Sequence, residues 1–67
     1  MDIREDMDNH YIDRITSSIF DGDHEKVFIY LDLLYDFYKL KSCVTLCQRM
    51  NALDLSQKVA KYIAEKE

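Results

Sequence analysis

The chain has 67 residues, a formal net charge of −4, one Gly, no Pro and two Cys. This length excludes more than one domain and leaves a small core. Two cysteines only four residues apart exclude a disulfide scaffold, and the absence of a basic excess argues against binding to phosphate backbones.

Hydrophobic residues make up 48% of the sequence, enough to offset chain entropy and argue against disorder. The scarcity of turn residues points to helices joined by short connections. The expected fold is all-α: a small antiparallel four-helix bundle or two stacked helical hairpins, in one domain over residues 1–67. Residues 1–6 are expected to fray. No apolar run approaches a membrane span and no secretory signal is evident, so the expected setting is intracellular, cytoplasmic or nuclear.

A first helix is expected at about 7–20, where Tyr11, Ile12, Ile15 and Ile19 form one apolar stripe. Asp21-Gly22-Asp23 ends it. Gly22 suits a left-handed C-cap, and Asp23 can cap the next helix through its carboxylate. The stretch from His24 to Leu40, HEKVFIYLDLLYDFYKL, holds three of the five Tyr and two of the three Phe. Its pattern predicts one long helix that is apolar on two sides and must be covered from two directions.

Lys41-Ser42 is the expected next boundary, with Ser42 as N-cap. A third helix over about 43–50 presents Cys43, Leu46, Cys47 and Met50. Asn51-Ala52-Leu53 reads as a turn. Asp54 and Gln57 fit a capping box for a fourth helix over about 55–66, with Leu55, Val59, Tyr62 and Ile63 buried. Ala60 and Ala64 would let another helix come close. A merged third and fourth helix, on a heptad from 43 to 64, is the competing reading.

Charge is uneven. Residues 1–33 carry nine acids against three bases, net −6; residues 34–67 carry four acids against six bases, net +2. His10, His24, Cys43 and Cys47 could in principle complete a Cys2His2 zinc site, but their spacing fits no usual finger and the thiols lie on an apolar stripe. No metal or other cofactor is expected. Asp21, Asp23, Glu25 and Asp32 loosely imitate a calcium loop. Lys26 stands where the sharp turn needs Gly, and helix capping accounts for those acids better. No Gly-rich phosphate loop, nucleophile relay or converging carboxylate pair is present, so the chain reads as non-enzymatic.

Residues 39–50, KLKSCVTLCQRM, followed by 52–67, ALDLSQKVAKYIAEKE, resemble a helical hairpin of an α-solenoid. They are similar in particular to the C-terminal helical part of the WD-repeat replisome adaptors. No propeller precedes them and that family's intervening helix is missing. The resemblance implies a unit that docks helices of partner proteins in the nucleus.

The informative excess is aromatic, because a domain this small cannot bury every ring. The expected function is a protein–protein interaction module presenting Tyr30, Leu33, Phe37 and Tyr38 to a partner helix or to a second copy, as homo-oligomer or hetero-complex. The alternative is a small acidic mimic that binds a basic partner through its N-terminal half.

Overall fold

A computed structural model describes residues 3–66 of the chain, all but the linkers of which are helical. Four helices follow one another: α1 (Ile3–Asp21), α2 (His24–Leu33), α3 (Phe37–Arg49) and α4 (Leu53–Lys66). α1 pairs with α2 and α3 pairs with α4, each as an antiparallel hairpin, while α1 also lies against α3. Contacts between the hairpins run in step along the chain. On one side Asn9 meets Lys39, and a groove lined by Ile12, Cys43 and Leu46 leads toward one lined by Thr16, Phe20 and Met50. On the other side Phe28 meets Tyr62 and Asp32 meets Lys66. Hence α1 is parallel to α3 and α2 to α4. Of the two expected architectures, the chain adopts stacked hairpins.

The two hairpin turns close in the same way. The Asp23 N–H donates to the Ser18 carbonyl at 2.9 Å, and the Ala52 N–H to the Cys47 carbonyl at 2.8 Å. Each is a bond back over five residues that absorbs an orphan carbonyl of the preceding helix. The residue before it is left-handed in both cases: Gly22 at φ 77° and Asn51 at φ 62°. Gly and Asn are the residues that tolerate this conformation. Asp23 then caps α2, its carboxylate accepting from the Lys26 N–H at 3.2 Å.

Ile15, Ile19, Val27, Leu31, Leu40, Cys43, Cys47, Leu55, Val59 and Ile63 form one core. Each helix supplies at least two of them, so neither hairpin has a core of its own. Of the expected stripe of the first helix, Ile15 and Ile19 are buried and Tyr11 and Ile12 half-buried; the turn at Asn51-Ala52 and the burial of Leu55, Val59 and Ile63 are found, and Tyr62 is half-buried. The third and fourth helices are separate.

The starts of the first and last helices differ from expectation. α1 begins at Ile3 rather than near residue 7; of the residues expected to fray, 1 and 2 lie outside those described. α4 begins at Leu53, so Asp54 is not its N-cap. The turn closure at Ala52 brings the Ser56 N–H onto the Ala52 carbonyl, and Asp54 falls in the first turn, where it complements the helix dipole.

The largest correction concerns His24 to Leu40, which is not one helix. The chain leaves helical geometry at Leu34 (φ −67°, ψ 130°) and resumes it at Phe37. Ser42 therefore lies inside α3, its hydroxyl donating to the Lys39 carbonyl. Neither Pro nor Gly causes the break; Asp8 does. It is 2% exposed, and its two carboxylate oxygens accept from the backbone N–H groups of Tyr35 and Asp36, each at 2.9 Å. In a continuous helix those two groups would donate to the carbonyls of Leu31 and Asp32. Asp36 then caps α3 by accepting from the Tyr38 N–H at 2.8 Å.

Replacing Asp8 with Ala leaves two linker donors without their acceptor, and the expected cost is about 2–3 kcal/mol. Urea denaturation measures that cost. Amide exchange at Tyr35 and Asp36 should accelerate ahead of exchange in either hairpin turn.

Candidate functional site

The break at 34–36 divides the expected binding residues. Tyr30 and Leu33 stay on α2, whereas Phe37 and Tyr38 open α3 on the second hairpin. They do not share one helix face. Phe37 carries the Lys41 ammonium 4.9 Å above its ring, and Tyr38 is 81% exposed.

A different apolar surface emerges on the first hairpin. α1 faces α3 through Asn9, Ile12 and Thr16, while Phe20 borders the groove near Met50 and is 84% exposed. At 3.6 residues per turn, Ile3, Met7 and Tyr11 point roughly 170° away from that stripe. α2 meets α4 through Phe28 and Asp32, and Tyr30 and Leu33 point roughly 150° away from those two. The two outward stripes join where Tyr11 and Tyr30 stack, with ring centroids 6.1 Å apart and planes 29° apart. Ile3, Met7 and Leu33 are 75%, 48% and 49% exposed. On the side turned away from the second hairpin, the first thus carries this apolar stripe with the exposed Arg14 and Lys26 set among it. Ile3, Met7 and Tyr11 were not among the expected site residues. Their i, i+4 spacing was visible, but which side of α1 the second hairpin would cover was not.

The acids of the N-terminal half are partly committed to structure. Asp8 holds the linker and Asp23 caps α2. Asp32 accepts from the Tyr62 hydroxyl at 2.9 Å and from the Lys66 ammonium at 3.1 Å. Those two hydrogen bonds, helped by the positive charge of Lys66, hold the Asp32 carboxyl below its ordinary value. The Tyr62 hydroxyl and Asp32 hold the Lys66 ammonium above its own.

Cys43 and Cys47 are core residues, 1% and 0% exposed, as their place on an apolar stripe suggested. The Cys43 thiol donates to the Lys39 carbonyl at 3.4 Å. Burial, and then the neighbouring Cys47, push the Cys43 thiol up to about 12; burial also raises Cys47. Among the described residues, no three His, Cys, Asp or Glu side chains converge to hold a metal ion. The groove between α1 and α3 is lined by Ile12, Ser42, Cys43, Thr45, Leu46 and Arg49, so its lining pairs no nucleophile with a carboxylate or imidazole base. Among the described residues, no helix is long and apolar enough to cross a membrane.

Compared with known proteins, the chain matches no family model, no curated protein and no solved structure.

Two outcomes follow from these environments. Because Asp32 is depressed in the folded state, its contribution is present above the unfolded carboxylate value of about 4 and is lost as pH falls through the lower folded value. Thermal melts of the wild type and of Asp32→Asn should therefore differ at neutral pH and converge in acid. Both thiols should resist a disulfide-exchange reagent at mildly alkaline pH and react fully once denaturant is added, because the thiolate is the reactive form.

Proposed function

We propose that this chain is a protein–protein interaction module whose docking surface is the outward side of its first hairpin. The observation that carries the reading is the joined stripe of Ile3, Met7, Tyr11, Tyr30 and Leu33, opposite the side covered by the second hairpin. In stacked helical hairpins each apolar side is buried by the next unit, and a terminal unit normally presents a polar outer side instead. This outward side carries an apolar stripe, so the fitting partner is another helical hairpin laid across α1 and α2. Tyr11 and Tyr30 suit such a contact, because rings supply large area at small rotamer cost. The expected residues Tyr30 and Leu33 belong to this surface; Phe37 and Tyr38 lie outside it.

A photo-crosslinking residue at Leu33, placed in the chain in its native cell, should capture a protein partner. The same residue at exposed Asp13 of α1 should not. Met7→Glu with Leu33→Glu should abolish capture from a further crosslinking residue at Ile29 while changing stability by no more than about 0.5 kcal/mol, as for surface substitutions. Unfolding of that double variant would make the stripe part of the core and end the reading.

A further inference from the structure

The side of the second hairpin turned away from the first has the complementary character. α3 faces α1 through Lys39, Cys43, Leu46 and Met50. Phe37, Lys41, Val44 and Gln48 lie roughly opposite on the helix. α4 faces α2 through Tyr62 and Lys66, and Leu53, Gln57, Ala60 and Ala64 lie roughly opposite. Leu53 is 57% exposed, and Ala60 and Ala64 are exposed. The first hairpin's outward side is built of large residues; α4 turns two alanines outward, where large side chains can sit.

Charge decides between the ways two copies could meet. Joining the apolar sides of two first hairpins face to face would bring together two halves of net −6 each. Laying the first hairpin of one copy on the second hairpin of another sets −6 against +2. Like charges repel and opposite charges attract over the Debye length, so the head-to-tail pairing is favoured. It also repeats the stacking already present inside each chain, with α1 alongside α3 and α2 alongside α4.

Resting on the docking surface proposed above, we infer that its occupant is a second copy of this chain. Ile3, Met7, Tyr11, Tyr30 and Leu33 of one copy pack on the Leu53, Ala60 and Ala64 side of the next. Such a contact joins two different surfaces, so it grows into an open array or closes into a ring rather than stopping at a symmetric dimer.

Sedimentation velocity on the full chain, from micromolar to millimolar protein, tests this with two variants. Met7→Glu with Leu33→Glu blocks the first hairpin's side. Ala60→Glu with Ala64→Glu blocks the second hairpin's side. Circular dichroism checks that both keep their helicity. The wild type should grow in mass with concentration, and less so as salt rises. Each variant alone should be monomeric. Mixed in equal amounts, they should form a one-to-one heterodimer, because each retains the side the other lacks.

A dimer formed by the Ala60→Glu, Ala64→Glu variant alone would overturn the head-to-tail contact. A wild type that stays monomeric throughout would also overturn it. If Leu33 nonetheless crosslinks to a different protein, the docking surface stands and the second copy falls. If nothing is captured at Leu33, both fall.

Discussion

Asp8 is the residue on which the arrangement of the two hairpins depends. A carboxylate loses its hydration when it is buried, and the loss is tolerable only where donors replace the water. Here the donors are two consecutive backbone N–H groups, themselves left unpaired by the end of α2. Each side of the contact answers the other's need. The same pair of bonds ends α2, frees Asp36 to cap α3, and fixes the first half of α1 against the linker. Without it, Leu34 to Asp36 could continue as helix, and the second hairpin would have no fixed direction from which to stack.

Around that contact the hairpins are joined by different chemistry on their two sides. Between α1 and α3 the contact is mostly apolar, with buried thiols acting as small hydrophobes. Between α2 and α4 a ring pair, Phe28 and Tyr62 at 5.6 Å, is followed one turn on by the polar set of Asp32, Tyr62 and Lys66. The ring pair adds contact area, whereas the exposed charged set adds little energy and mainly fixes register. Parallel alignment of α2 with α4 follows from this sequence of contacts along both helices.

Much of the fold could be read from the residues. The Ile15–Ile19 stripe, the Gly22–Asp23 turn, the Asn51–Ala52 turn and the buried positions of α4 all follow from local periodicity and capping. The break at 34–36 did not, because its cause lies more than 25 residues away in sequence. A weak trace of it was present. Asp8 stands one turn before Ile12, in line with the apolar positions at 12, 15 and 19, and a carboxylate in line with core residues must find donors. The candidate site was legible only in part for the same reason. Of the expected residues on α2, Leu33 is 49% exposed, whereas Tyr30 is half-buried against the core. The pattern puts Phe37 and Tyr38 on that same helix and groups Tyr11 with Ile12, Ile15 and Ile19, whereas Tyr11 stacks on Tyr30.

The placement of Asp8 also bears on the order in which the chain folds. Each hairpin closes through a tight turn and contacts between neighbours in sequence, which form early because the loops are short. The bonds from Asp8 to the linker span 27 and 28 residues and need both α1 and the end of α2 already formed. They therefore suit a late step, a latch that shuts on two preformed arms. A latch of that kind sets the lifetime of the folded state more than the speed of reaching it.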